Sequence, residues 1–365
     1  MAEGWHMAEE ERPTLGGSTC LPRGTRLVVT LGPASLRPAV LRSLAPLGVN
    51  LLRLNLSHVA LGDFEDVLRT ARIHSHLPVC LDTEGAQARI GLVATGIVLR
   101  VGQPVRLVSD KALGTERQLS LRPEALFDTL KPGTTLAVDE AMLRVAVVEE
   151  GRAMAIVVAG GRVRSNRTVV IDPAPELPAL TEKDRTAVDV AVAAGVDHFA
   201  LGYAASGAAV EELRGLLPAG ARLLARIDSR SGVERRAEII AAADTVVVGW
   251  AHLAAELPIE QVPFVQKAIA REGAAAGTPV WVTTGRSGTS AGPAATVAEA
   301  NDIVNLLLDG VSGLVLTGES AVGSDAYGAV ERTAELLDGL GDYALTVTGS
   351  STAMPDLTSP ETVPS

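Results

Sequence analysis

Short runs of β-branched and apolar residues recur along the chain at 26–30, 51–54, 79–81, 198–201, 222–227, 245–248, 279–282 and 313–316. Segments with helical spacing, such as 35–47, lie between them. Strands that alternate with helices pair in parallel, because each crossover returns the chain to the same end of the sheet, and eight such strands close into a barrel. Between Gly91 and Pro178 the pattern changes to shorter alternating stretches at 97–108, 135–138, 142–148 and 153–158, separated by turn residues. This reads as a small β-domain inserted after the third strand. The segment PELPALTEKD leads back to the barrel, with Thr181 or Asp184 available to cap the next helix. The pattern predicts an α/β fold, a (β/α)8 barrel over 25–90 and 179–342, with an inserted β-domain over 91–178 suited to act as a lid. The polar opening, 1–24, and the Ser-, Thr- and Pro-rich 343–365 are expected to be disordered.

Composition fills in this picture. The 365 residues are 47% hydrophobic but only 3% aromatic, so the core is aliphatic. A net charge of −11, with Lys and Arg scattered, excludes the basic face that nucleic acid or an anionic membrane would need. No basic signal segment and no membrane-length apolar run opens the chain, so a cytoplasmic location is expected. Cys20 and Cys80 lack zinc spacing and read as inert thiols.

A parallel barrel carries its chemistry at the C-terminal ends of its strands. There the chain has TLGPAS after the first strand and RLNLSH, with Arg53, Asn55, Ser57 and His58, at the second. LDTEGAQARIG, with Asp82, Thr83 and Arg89, follows at the third, then ELPALTEKD, and LTGESAVG at the eighth. This ordered set resembles the pyruvate kinase family, whose fold is a TIM barrel with an inserted lid. The resemblance implies phosphoryl transfer from phosphoenolpyruvate to ADP with Mg²⁺ and K⁺. By position, Arg53 resembles the arginine that contacts the transferred phosphate. Asn55, Ser57, Asp82 and Thr83 resemble monovalent-cation ligands, and Thr284 in VWVTTG resembles the threonine beside the enolate carbon. Asn55, His58, Arg89, Arg167 and the insertion residue Asp139 fall on the nucleotide side, and Tyr203 lies where the family carries an active-site aromatic. The residue types agree, since oxygen donors suit a hard cation and a guanidinium suits phosphate. Taken singly, each has a local alternative: Arg53 as a barrel-end salt bridge, Asn55 and Ser57 as loop caps, Asp82 as the anchor of a turn.

Departures from the family pattern are as informative as the matches. In LLARIDSRSG, Arg226 and Asp228 stand where the family has lysine and glutamate. Arginine neutralises phosphate but is bulkier than lysine and does not shuttle a proton near neutral pH. In VVVGWAHLAAELP, Trp250, Ala251 and His252 replace arginine, glycine and aspartate, so the expected divalent pair becomes Asp228 with His252, a set suited to Mn²⁺ or another transition metal as well as to Mg²⁺. The alternative for His252 is a hydrogen-bonded structural histidine. The amides of Ala251 and His252, at a helix start, are the expected seat of a substrate carboxylate. Glu84 and Gln87 replace a lysine and a glutamate, which weakens the expected K⁺ dependence. SNRTVVIDP, with Arg167 for a lysine, weakens the expected binding of ADP or ATP. The loop GRSGTSAGP beside Thr284 either shapes the pocket or is a solvated connection.

Three functions follow from this pattern. The first is an enzyme that keeps the pocket for a 2-oxo acid or phosphoenolpyruvate-like ligand but turns enolate chemistry to decarboxylation, aldol cleavage or proton transfer, with Arg53, Arg226, Thr284 and His252 as its catalytic set. The second is an altered pyruvate kinase. The third is a catalytically silent barrel that binds a metabolite or partner. Family members continue after the eighth helix into a C-terminal regulatory domain, so control of that kind is expected to be missing here and any homo-oligomer to form through barrel helices.

Overall fold

The computed structural model describes residues 25–349 apart from 86, 96, 110–111 and 285–295. The tails at 1–24 and 350–365, Cys20 and the GRSGTSAGP loop therefore lie outside the described residues. Eight parallel strands close a barrel: Arg26–Thr30, Leu51–Asn55, Val79–Asp82, His198–Leu201, Arg222–Ile227, Thr245–Val248, Val280–Thr284 and Gly313–Leu316. Each strand pairs with its sequence neighbour in the barrel, and the last pairs with the first, Arg26 opposite Gly313. This is the (β/α)8 TIM barrel that the alternation of apolar runs and helices predicts.

Strand residues alternate between the helix-facing and the inner side, so every second position fills the barrel. One residue from each strand, Val28, Leu51, Cys80, Ala200, Leu224, Val247, Trp281 and Val315, forms a dry inner cluster. Trp281 is the one large ring among them, and it lies across Gly313 on the paired strand, where an added Cβ would fall 2.5 Å from Trp281 Cδ1. Two residues further along the strands, the inner side turns polar, with Thr30, Arg53, Asp82, Arg226 and the glycines Gly202 and Gly249. Apolar packing thus ends one layer below the mouth, and a charged layer rests on it. Burial of the Cys80 thiol among these residues pushes its pKa up, which matches an inert thiol.

The insertion is itself a closed barrel. In spatial order its strands are Arg152–Ala159, Pro104–Val108, Gln118–Arg122, Ala88–Ile90, Thr168–Asp172, Thr135–Val138 and Ala141–Glu149. Its own aliphatic core includes Ile90, Leu107, Leu121, Leu143 and Ala155. The second barrel starts at Ala88, ahead of the boundary drawn at 91, because the end of LDTEGAQARI pairs with Thr168–Asp172. The stretch 97–108 is two strands, Val98–Leu99 and Pro104–Val108, broken by a turn in which Gly102 takes a positive φ of 81°.

One carboxylate ties the entry and exit of this insertion together. Asp184, fully buried, accepts from the backbone N–H groups of Glu84 (2.7 Å), Gly85 (3.2 Å) and Thr181 (2.9 Å) and from the Thr181 hydroxyl. Thr181 is the N-cap of the helix Glu182–Ala193, and Asp184 completes a capping box. Lys183 reinforces the junction, bonding the Leu56 carbonyl at 2.6 Å and Glu84 at 2.9 Å. The final helix, Ala326–Gly349, passes the limit of 342 set from sequence, and 343–349 are helical rather than disordered. The reason is local: no proline interrupts the chain before Pro355.

Replacing Gly313 by Ala is expected to lower stability by about 1–3 kcal/mol, the usual penalty for forcing an extra methyl into a packed core. Urea melts with unchanged m-value would show it, and an unshifted midpoint would mean that the Trp281 ring is free to move aside.

Candidate functional site

At the C-terminal mouth the third strand ends in Asp82, which is completely buried. Two guanidinium groups share its Oδ2: Arg53 from the second strand at 2.5 Å and Arg226 from the fifth at 2.6 Å. Arg226 then spans to the next carboxylate, Asp228 Oδ2, at 2.7 Å. Arg53 is also held by Thr30 Oγ1 at 2.9 Å. The four ionic groups alternate in sign and sum to zero, which is how such a cluster survives in a dry interior. Burial opposes the charge on Arg226, but Asp228 and Asp82 outweigh it and hold its pKa above the ordinary value. The Nε of Arg226 and the Oδ1 atoms of Asp82 and Asp228 are buried without a protein partner.

Strand alternation positions these groups, and glycine makes room for them. An added Cβ on Gly249 would fall 1.7 Å from Asp228 Oδ1, so this oxygen lies directly against the Gly249 backbone. The other face of Asp228 is set by Tyr203, whose N–H reaches Oδ2 at 3.3 Å. Tyr203 has a positive φ of 50°, a strained conformation for a non-glycine residue. Its hydroxyl bonds His252 Nδ1 at 2.7 Å, and the two rings meet edge to face. Burial and the nearby Asp228 raise the Tyr203 pKa, so the phenol keeps its proton. Tyr203 forms one wall of a cleft of about 630 Å³ between the two barrels, which runs past Thr168 and Ser206 to Ser229 and Arg235.

Across the mouth, Thr284 Oγ1 bonds Glu319 Oε1 at 2.6 Å, and Thr317 Oγ1 reaches Glu319 Oε2 at 3.2 Å and the Thr284 carbonyl at 2.9 Å. Glu319 is buried. Sequence reasoning assigned it no role, although it sits inside LTGESAVG and was therefore within reach.

The structure sorts the remaining candidates. Asn55 Oδ1 accepts from Ser57 N at 3.1 Å, the local cap foreseen as its alternative, and Ser57 Oγ accepts from Gln87 at 3.3 Å. Asn55 lies opposite Asp82 in the strand register, and Thr83 follows it, its hydroxyl accepting from Gly202 N at 3.1 Å. With the unpartnered Asp82 Oδ1, these oxygens fit a monovalent cation such as K⁺, whose charge would be offered to an anionic ligand. Arg89 is turned toward the insertion, bonding Gln87 Oε1 at 2.8 Å and the Asn166 carbonyl at 2.6 Å. His58 is exposed, and its pKa is lowered to about 4 by partial burial and by Arg89. Asp139 does not reach over the site as a free acid: it is neutralised by Arg164 at 2.8 Å and Arg167 at 3.0 Å within the insertion. The amide expected to dock a carboxylate at His252 donates instead to the Gly249 carbonyl at 3.0 Å, closing the first turn of Trp250–Glu256, while Ala251 is exposed.

The expected divalent centre, Asp228 with His252, is not assembled as a metal site. Asp228 Oδ2 is occupied by Arg226 and Tyr203, its Oδ1 rests on Gly249, and His252 Nδ1 is engaged by Tyr203. No group of three or more His, Cys, Asp or Glu side chains suited to a metal ion occurs among the described residues. The sequence showed the residue types but not that one guanidinium lies between the two carboxylates.

A (β/α)8 barrel with a second barrel inserted after its third strand, and with its charged groups gathered at the C-terminal mouth, belongs to the class of barrel proteins that carry their sites on that face. Residues 22–330 match the family model described as "Pyruvate kinase, barrel domain", and the chain belongs to this family. A pyruvate kinase of Methylorubrum extorquens is 35% identical over 87% of this chain and 69% of its own length. One from Agrobacterium vitis is 32% identical over 85% and 66%, and one from Geobacillus stearothermophilus 30% over 85% and 56%. The crystal structure of Cryptosporidium parvum pyruvate kinase superposes with a TM-score of 0.78 at 25% identity, covering 91% of this chain and 74% of that one. The chain thus spans between 56% and 69% of these three relatives' lengths. No helix among the described residues is long and apolar enough to cross a membrane.

Burial lowers the His252 pKa to about 4, with Asp228 opposing and Arg226 reinforcing the shift, so the ring is neutral at pH 7. An unfolded histidine titrates near the ordinary 6.5, so the unfolded chain binds the extra proton between the two values. The stability contributed by neutral His252 is complete above pH 6.5 and is lost as pH falls toward 4. Between pH 5 and 6 the slope of unfolding free energy against pH is expected to be shallower in His252→Gln than in the parent chain, by up to about 1.4 kcal/mol per pH unit. Equal slopes would show that His252 titrates normally.

Proposed function

We propose that this chain is an enzyme that binds a three-carbon 2-oxo acid or its enol phosphate at the barrel mouth and carries out enolate chemistry on it. The observation that supports this is the pairing of two buried guanidinium groups, Arg53 and Arg226, with a hydroxyl–carboxylate couple, Thr284 and Glu319, on the same rim. The guanidiniums, one with an unused Nε donor, suit the negative charge of a phosphate or enolate oxygen. Thr284, hydrogen-bonded to a buried carboxylate, suits delivery or removal of a proton at carbon. Tyr203, with neutral His252 behind it, closes the pocket toward the cleft. In such a reaction the ligand's charge is held by the arginines, its carbon faces Thr284, and the inserted barrel limits access of water.

A second reading, transfer of the phosphoryl group of phosphoenolpyruvate to ADP, is favoured by the relatives, which carry the name pyruvate kinase. The Asp139–Arg167 ion pair and the Arg89–Asn166 contact, which engage nucleotide-side residues internally, weigh against it.

Proton NMR in D₂O separates the two. The methyl protons of pyruvate are expected to exchange in the presence of the protein, and Thr284→Ala to slow the exchange by about 10²-fold or more, the usual scale for a positioned acid–base group. Exchange without ADP-dependent conversion of phosphoenolpyruvate supports the first reading, and conversion lost in Arg226→Ala supports the second. Neither activity would leave a binding protein.

A further inference from the structure

The mouth holds two completely buried carboxylates, and the group that joins them is part of the chain. Arg226 Nη1 bonds Asp82 Oδ2 at 2.6 Å while Nη2 bonds Asp228 Oδ2 at 2.7 Å, and only 6% of its side chain is exposed. Two carboxylates brought together in a dry barrel would ordinarily draw in a small, highly charged cation to neutralise them. Here the neutralisation is internal: Arg226 and Arg53 supply two positive charges against two negative ones. The oxygen of Asp228 that Arg226 leaves free faces the Gly249 backbone, and Tyr203 holds the Nδ1 of His252. A divalent ion would have to displace a guanidinium that cannot diffuse away from the mouth, and the ion would shed much of its own hydration to do so.

We propose that Arg226 is a built-in cation that takes the place of a bound divalent metal at this mouth. It bridges Asp82 and Asp228, sets its positive charge at the mouth where the ligand's negative charge develops, and leaves the chain without tight divalent-metal binding there. The functional consequence rests on the reading of the mouth as an enolate or enol-phosphate site, but the cation balance itself does not depend on the substrate. Charge and hydrogen bonding from a guanidinium polarise an anionic oxygen without coordinating it, so the ligand oxygens remain free to turn within the pocket.

The decisive measurement is Mn²⁺ titration of the full chain, reading free Mn²⁺ by electron paramagnetic resonance with no substrate present. The parent chain is expected to bind Mn²⁺ only weakly at this site. Arg226→Met keeps much of the bulk, removes the charge and should tighten binding by about tenfold or more, equivalent to about 1.4 kcal/mol. The added change Asp228→Asn should abolish that gain. Should Arg226→Met fail to give a folded melt, Arg226→Lys decides, because the shorter ammonium is expected to neutralise one carboxylate and free the other. Tight Mn²⁺ binding by the parent chain that is lost in Asp228→Asn would overturn the proposal, as would unchanged affinity in a folded Arg226→Met or Arg226→Lys. Failure of the pyruvate exchange experiment would sink the functional reading while leaving this result standing.

Discussion

The chain of ionic contacts Arg53–Asp82–Arg226–Asp228 is the constraint around which the mouth of the barrel is organised. An unpaired charge in this layer would carry a desolvation penalty of several kcal/mol, so the four groups stand or fall together. Arg53, Asp82 and Arg226 come from the second, third and fifth strands and Asp228 directly follows the fifth, so their meeting requires a closed barrel. The layer below must then be apolar and tightly filled, which accounts for the ring of aliphatic residues and the Trp281 indole beneath the arginines. Small residues complete the charged layer itself, with Gly249 beside Asp228 and Gly202 beside the Thr83 carbonyl.

The same cluster orders what surrounds it. Asp228 fixes Tyr203 through its backbone N–H, and Tyr203 fixes the His252 ring through its hydroxyl. Thr168, on the inserted barrel, lines the same cleft as that ring. On the opposite side of the junction Asp184 gathers the strand leaving the barrel and the helix re-entering it onto one carboxylate. The insertion is thus joined to the barrel through a carboxylate shared by its entering and leaving segments.

The chain shares the barrel architecture of its family, and its own charges are balanced at the mouth. Arg226 bears the positive charge at the fifth strand, yet its fork reaches two acids, where a lysine's single ammonium is a point charge. His252 stands where an acid is expected, but its environment keeps it neutral, so the substitution removes a negative charge without adding a positive one. The bridging guanidinium and the neutral imidazole together make the mouth a charge-balanced, guanidinium-centred pocket.

The sequence by itself determined the barrel, the position of the insertion and the identity of the rim residues, because apolar periodicity and the order of strand-end motifs are local properties that survive in a linear string. Arg53, Asp82, Arg226 and Thr284 could all be named in this way. Their partners could not. That Arg226 bridges Asp82 and Asp228, that Gly249 seats a carboxylate, that Tyr203 is bent into a left-handed conformation to reach His252, and that Asp139 is consumed by Arg164 and Arg167 depend, the Arg226–Asp228 pair apart, on contacts between residues 21 to 144 positions apart. Only closure of the two barrels sets those distances, and in a buried ionic cluster a change of partner decides whether a carboxylate binds a metal, a guanidinium or nothing.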